Sequence, residues 1–374
     1  MKDIGDTPFC VLHVMGTLAN GGISSVVLNY YSLMDHKKVR FDIAVTSDSF
    51  GSNADRFRSL GSRIYTIPKK SQGIKAYTDA LTQILSKTKY DAIHVHERDT
   101  SYVALRTAKK LGVKKRIAHA HSARPIQGGR DRVRQLASAV LNPLYATDLL
   151  ACGILAGERT FGRLNTRTEK FRVLPNAVDT ARFAFQPEVR AVKRKELGVE
   201  GRFVLGMVGR LAPVKNIPFA IQLIGRLRQR MPDAVLIIVG DGSLKPVLEQ
   251  MVQKSNLEDA VHFLGLKADP ENYYQAFDVM LLPSFEEGFP VSAIEAMSSG
   301  LPVLLSDTIT AELGFSSAVR YCPLGVQDQW LENLIRLREH ESDHIRKARQ
   351  HEVKDNGYEI GETVKLLEEI YGIN

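Results

Sequence analysis

The chain has 374 residues, 44% hydrophobic and 25% charged, which is globular composition and too long for one core of ordinary size. Its net charge of +8 is uneven: residues 1–180 hold 28 Lys+Arg against 15 Asp+Glu, and the remainder is acidic on balance. Three scattered cysteines (Cys10, Cys152, Cys322) without CxxC spacing favour buried free thiols over a disulfide or a zinc site, no run has the length of a membrane span, and the first residues lack a signal-peptide core, so a cytoplasmic protein is expected.

The first apolar run, Phe9 to Met15 (FCVLHVM), suits a buried parallel strand. It leads through a loop ending in Gly21-Gly22 into a helix predicted over Ile23 to Met34. Strand, glycine loop and helix make an anion seat, because the first N–H groups of a helix are unpaired. The loop is neither GxGxxG nor GxxxxGK[ST], so a nicotinamide or flavin cofactor gains little support. Strand-like runs recur at Phe41–Val45, Arg63–Ile67, Ala92–Val95, Arg116–Ala120 and Leu149–Cys152, with helical segments near 73–87, 100–111 and 131–146. Such alternation predicts a doubly wound α/β sheet, whose ligands gather at the carboxyl ends of the strands.

Two of those ends carry paired histidines, His94-Val95-His96 followed by Glu97-Arg98, and His119-Ala120-His121. Residues i and i+2 share one face of a strand, so the pairs suit a metal or a cleft where His96 or His121 makes hydrogen bonds. No carboxylate or cysteine set accompanies them, which favours the second; His94 and His119 also suit the core. Basic residues cluster from Lys109 to Arg134, a front for nucleic acid, an anionic membrane or an acidic substrate, and no nucleic-acid module accompanies it. The helix there opens with alternating arginines and continues apolar through Leu136, Ala137, Val140 and Leu141, as a lip on anionic lipid or a solvated face would. After Leu174-Pro175-Asn176-Ala177-Val178-Asp179 the chain turns charged, and a hinge is predicted near residue 180.

A second strand series begins at Phe203–Val208 and runs into Gly209-Arg210. Arg210 and Lys215 flank a loop before a helix from about Ile217; two cations at a strand end suit a diphosphate or a surface ion pair. Val235–Val239 precedes Gly240-Asp241-Gly242, Val261–Leu264 precedes Gly265, and Pro302–Ser306 precedes Asp307. The densest chemistry follows the run Asp278–Leu282: Glu287, Gly288, Phe289, then Pro290 at about the first helical position of a segment containing Glu295. A carboxylate accepts hydrogen bonds in pairs, as vicinal hydroxyls offer them. The local chemistry is thus a phosphate seat with a hydroxyl grip on either side; solvated loop acids are the plainer alternative. From about Gln327 the tail is helical, and Gly357 marks a break before the last helix.

GRLAPVKN (Gly209–Asn216), VGDG (Val239–Gly242), HFLG (His262–Gly265) and SFEEGFPVSAIEAMSSGLPV (Ser284–Val303) resemble family-4 retaining glycosyltransferases, with the E-x7-E element as Glu287 and Glu295. LPNAVD is similar to that family's inter-domain P-N-G-[VI]-D, with Ala177 in place of the usual glycine. The first half, with ANGGISSVVLNYY and RIAHAHSARP, is similar to bacterial capsular or exopolysaccharide enzymes. The resemblance implies the GT-B architecture, two doubly wound Rossmann-like domains facing each other across a cleft: an acceptor-binding domain over 1–180, a nucleotide-sugar domain over 181–356, and a helix of about 357–374 packing back on the first. It implies that Glu295 holds ribose hydroxyls and Glu287 the donor sugar, with backbone N–H groups from Gly288 and Phe289. Arg210 and Lys215 would bind the diphosphate, Gly21 and Gly22 would close on it, and Gly209 and Pro290 belong to the donor-side motifs. His121 would lie near the donor sugar, Glu97 and Arg98 near the acceptor with His96, and Gly242 and Gly265 would frame the base.

The expected reaction is retaining transfer of a hexosyl or N-acetylhexosaminyl group from a nucleotide-sugar, UDP-sugar ahead of GDP-sugar. The acceptor would be a glycan or polyprenyl-diphosphate-linked sugar at the inner face of an anionic membrane. Asp241 stands between glycines and forms no acidic pair, so neither metal nor cofactor is expected. A silent nucleotide-sugar-binding subunit and a sugar-nucleotide epimerase are the competing readings. Four intact charged positions count against the first, and the E-x7-E spacing counts against the second.

Overall fold

The computed structural model describes residues 8–18, 22–47, 50–123 and 128–373. It forms two compact units, Met1–Asn176 with Ile360–Asn374, and Ala177–Glu359. The boundary lies slightly ahead of residue 180 because Val178 pairs with the far end of the second unit: its N–H donates to Tyr358 O at 3.1 Å. The Thr180 N–H likewise reaches Glu359 Oε2 at 3.3 Å.

The first unit holds β1 (Phe9–Met15), β2 (Val39–Val45), β3 (Ile64–Thr66), β4 (Ala92–Val95), β5 (Lys115–Ala120), β6 (Asp148–Ala151) and β7 (Phe171–Val173), in the order β3-β2-β1-β4-β5-β6-β7. The second holds β8 (Phe203–Val208), β9 (Ala234–Val239), β10 (Val261–Gly265), β11 (Val279–Leu282), β12 (Val303–Ser306) and β13 (Val319–Cys322), in the order β10-β9-β8-β11-β12-β13. Every pairing is parallel, as βαβ crossovers require. The direction of winding reverses between β1 and β4 and between β8 and β11, and an open α/β sheet opens a crevice at such points.

In the second sheet β9, β11 and β12 are buried at every residue, with Ser306 at the end of β12 their one polar side chain. The two strands with no counterpart in the sequence reading, β7 and β13, are both sheet edges. Each is short and carries an arginine, Arg172 or Arg320, because an edge is covered on fewer sides and tolerates charge.

Helices close both units. Ile360–Tyr371 packs on the first sheet, with Tyr371 edge-on to Phe41 at 5.9 Å between ring centroids. In the second unit Arg346, 4% exposed, donates to the carbonyls of Tyr274, Gln275, Phe277 and Ser299 and lies 4.3 Å from the Phe185 ring centroid. These carbonyls come mainly from the carboxyl end of the helix Pro270–Ala276, where a cation replaces absent helical donors and opposes the helix dipole.

Candidate active site

In the second unit the segments after β8, β9, β11 and β12 converge at the winding reversal. A Cβ on Gly240 would lie 1.9 Å from Gly209 O, and one on Gly242 would lie 2.4 Å from Leu211 O. Only glycine permits these backbone approaches, and Leu211 N–H donates to Asp241 O at 2.9 Å across them. Gly242 therefore has an internal packing requirement, and Gly265 adds to it by accepting from Gly240 N–H at 2.9 Å.

Arg210, at the end of β8, is exposed and has no ion-pair partner among the described residues. Lys215 ends a short 3₁₀ turn, Pro213–Lys215, just before the helix Ile217–Leu227. Its Nζ lies 2.6 Å from Glu287 Oε1, and Ser284 Oγ donates to the same oxygen at 2.8 Å. Three further contacts lock this loop: Phe285 N–H donates to Val214 O at 2.9 Å, and Ser284 O accepts from Thr308 Oγ1 at 3.0 Å and from Ser306 Oγ. Lys215 and Glu287 thus neutralise each other, and an incoming anion would compete with Glu287 for the ammonium.

The helix after this loop spans Val291–Ser298, so Pro290 is its N-cap residue, one place ahead of the predicted position. Phe289 turns inward: it is 4% exposed and stacks on Tyr358 at 5.2 Å, with Phe315 stacked on Tyr358 at 4.9 Å. Its ring pins the loop, leaving the backbone of Gly288 and Phe289 as the part with ligand chemistry. Glu295 projects from the helix and its Oε2 accepts from Tyr274 OH at 2.6 Å. Burial pushes its carboxyl above the usual carboxylate range, against the lowering effects of Tyr274 and Arg182.

The first unit has a different chemistry at its own reversal. His13 and His94 are register partners on β1 and β4, and five imidazoles assemble there. His13 Nδ1 lies 3.0 Å from His96 Nε2, and His96 Nδ1 lies 2.8 Å from His121 Nε2. His94 bridges His119 Nδ1 at 3.1 Å and Tyr371 OH at 2.7 Å. Desolvation holds all five neutral, lowering His13 and His121 to about 3. Both nitrogens of His96 are therefore spent inside the unit. Nε2 of His121 is spent likewise, and its Nδ1 is buried, with the Asn176 side chain nearby favouring the charged ring.

The remaining expected residues are similarly engaged. Glu97 accepts from Lys70 Nζ and from Tyr77 OH at 2.6 Å; Arg98 forms a two-pronged pair with Asp99 at 3.0 and 2.7 Å. Gly22 caps the helix Ile23–Leu33 with φ 63°, a conformation for glycine, while Gly21 lies outside the described residues. For a metal, two triads bring one ligand atom per residue within 4.8 Å: His13/His94/His96 and His96/His119/His121. Neither contains an anionic ligand, and most of their nitrogens already bond one another, so the donor set fits a neutral hydrogen-bond network better than a buried dication.

His13, Tyr274, Ser284 and Tyr371 were absent from the sequence reading as site residues. Ser284 lay within the quoted motif, and a tyrosine ahead of an E-x7-E helix is a weak signal; nothing local marks Tyr371 as a partner of His94.

Two parallel doubly wound units in one chain are the components of the GT-B fold. The chain matches the model described as glycosyl transferases group 1 over residues 189–314 and that of glycosyltransferase family 4 over residues 20–182. EpsF of Bacillus subtilis, named as a glycosyltransferase, is 30% identical over 97% of this chain and 96% of its own. The Escherichia coli UDP-Gal:alpha-D-GlcNAc-diphosphoundecaprenol alpha-1,3-galactosyltransferase is 29% identical over 79% of each chain. HepE of Anabaena, crystallised with UDP, superposes with a TM-score of 0.79 at 19% identity, covering 97% of this chain and 99% of that one. The chain belongs to the family-4 glycosyltransferases of GT-B fold.

Proposed function

We propose that the protein transfers a hexosyl or N-acetylhexosaminyl group from a UDP-sugar to a polyprenyl-diphosphate-linked glycan, with retention, in cell-surface polysaccharide synthesis. The observation that carries the reading is the set Arg210, Lys215, Glu287 and Glu295 at the winding reversal of the second sheet, two cations and two carboxylates on converging loops and the helix that follows them. The uridine donor and lipid-linked acceptor in the E. coli relative's name support the substrate class, as does UDP in the HepE structure.

In this reading Glu295 accepts from ribose hydroxyls and Glu287 from sugar hydroxyls. Arg210 and Lys215 hold the diphosphate, and Lys215 exchanges Glu287 for phosphate oxygen as the donor enters. Scission of the anomeric C–O bond sends its electron pair to the diphosphate, whose growing charge these cations stabilise. The acceptor oxygen then bonds the same face of the anomeric carbon while its proton passes to the departing phosphate oxygen. No protein base and no metal takes part.

Membrane docking has its own support. On the helix Gly128–Tyr145, Val133, Leu136, Val140 and Leu144 are 57–68% exposed and fall within an arc of about 80° at 100° per residue. Exposed Arg130, Arg132 and Arg134 accompany them. An apolar stripe beside arginines suits an anionic headgroup layer. Among the described residues no helix is long and apolar enough to cross a membrane.

A panel of UDP- and GDP-sugars with a polyprenyl-diphosphate-linked acceptor tests the activity, with product anomers read by NMR. Slow donor hydrolysis without acceptor is expected; a panel in which no sugar is bound or turned over overturns the reading. Vesicle binding should rise with anionic lipid and fall with salt, and binding indifferent to both removes the docking surface.

A further inference from the structure

Tyr274 lies on the helix Pro270–Ala276, is wholly buried, and has a hydroxyl that must find an acceptor. That acceptor is Glu295 Oε2 at 2.6 Å, on the neighbouring helix Val291–Ser298. The need is mutual, since a desolvated carboxylate requires a donor. The ring cannot swing away: Phe183 and Phe277 meet it edge-on at 5.8 and 6.2 Å between centroids. The backbone is held as firmly, because the Arg346 guanidinium donates to Tyr274 O at 2.5 Å and to the next carbonyls of the same helix end. A continuous line therefore runs from the helix Asp343–Arg349 through Arg346 and Tyr274 to Glu295.

We propose that Tyr274 is a positioning residue for nucleotide binding: its hydroxyl fixes the Glu295 carboxylate with Oε1 turned to the ribose. The ribose half rests on the reading above, in which Glu295 meets the nucleotide. The charged groups acting on Glu295 are Arg182 from the helix Thr180–Phe183, Lys215 from its turn, and Glu271 from the same helix as Tyr274. Arg182 and Lys215 oppose the rise in proton affinity that burial and Glu271 cause. Arg182 is itself paired with Glu271 at 2.8 Å, which blunts both influences. Tyr274 is first among the influences that lower the Glu295 pKa and the only one bonded to its carboxylate among the described residues.

Two measurements on the full chain test this. The Glu295 carboxyl is titrated by carbon-13 NMR without ligand in wild type and Tyr274→Phe, and UDP affinity is measured by calorimetry from pH 5 to 8. Tyr274→Phe should raise the Glu295 titration midpoint, weaken UDP binding about 3- to 10-fold at pH 8, and move the acid loss of affinity to higher pH. An unmoved Glu295 midpoint overturns the proposal even if the fold and activity are intact. If the midpoint moves but UDP affinity has no acid limb in wild type, or the same limb persists in Glu295→Gln, it is the ribose assignment that fails. Should Tyr274→Phe be unstable, Arg346→Lys offers a second variant: it loosens the Tyr274 backbone, and an unchanged pH limb there removes Arg346 from the line.

Discussion

The two winding reversals of this molecule use polar groups in opposite ways. In the first unit, five imidazoles are neutral and hydrogen-bonded mostly to one another and to Tyr371, four of them buried and His121 half-buried. In the second, two cations and two carboxylates lie beyond the strand ends: Arg210 is exposed with no ion-pair partner among the described residues, Lys215 and Glu287 pair at 2.6 Å, and Glu295, on its helix, is held on one oxygen. The difference is one of charge and access. Neutral imidazoles satisfy each other at little electrostatic cost and act as a polar core, whereas ionised groups are costly to bury and remain where a charged ligand can complete them.

The largest test of that contrast is acidification. Folded His13 and His121 are lowered to about 3 from an ordinary 6.5, so the unfolded chain binds their protons first. Their stabilisation is present above pH 6.5 and is lost as pH falls toward 3, at about 1.4 kcal/mol per pH unit for each ring. Amide exchange between pH 6.5 and 4 should therefore open β1, β4 and β5 before β8 and β9; the reverse order breaks the comparison.

Next comes Lys215→Ala, which removes a cation from the developing diphosphate charge. Turnover should fall about 100- to 1000-fold with a much smaller change in donor KM. A fall confined to KM would make Lys215 a binding residue only. Glu295→Ala is smaller: loss of hydrogen bonds to a charged acceptor should weaken UDP by about 10- to 100-fold, and equal binding by wild type and variant would remove the ribose assignment. The smallest expected effect is none: a chelator should leave turnover unchanged, whereas complete loss restored by Mn²⁺ would return the histidine triads to consideration as a metal site.

These tests follow what was legible at each place. Arg210, Lys215 and Glu287 were legible as candidates because each lies just past a strand end, and Glu295 because it follows Glu287 at the E-x7-E interval on the next helix. The histidine pairs were equally visible, yet HxH says only that two rings share a face. Whether their nitrogens are open to a ligand depended on His13, more than 80 residues away, and on Tyr371 at the other end of the chain. Glu97 shows the same limit, since Lys70 and Tyr77 approach it from another helix and turn.

By itself the sequence determined the alternation of buried strands and helices, two doubly wound sheets, and the loops where the second unit's charges gather. Continuous apolar runs and glycine turns are local signals with local causes. Tertiary structure alone decided the edge strands β7 and β13 and above all which polar atoms remained available. Hydrogen bonding is competitive, and the winner at each donor and acceptor is chosen by neighbours that the fold, rather than the sequence, brings near.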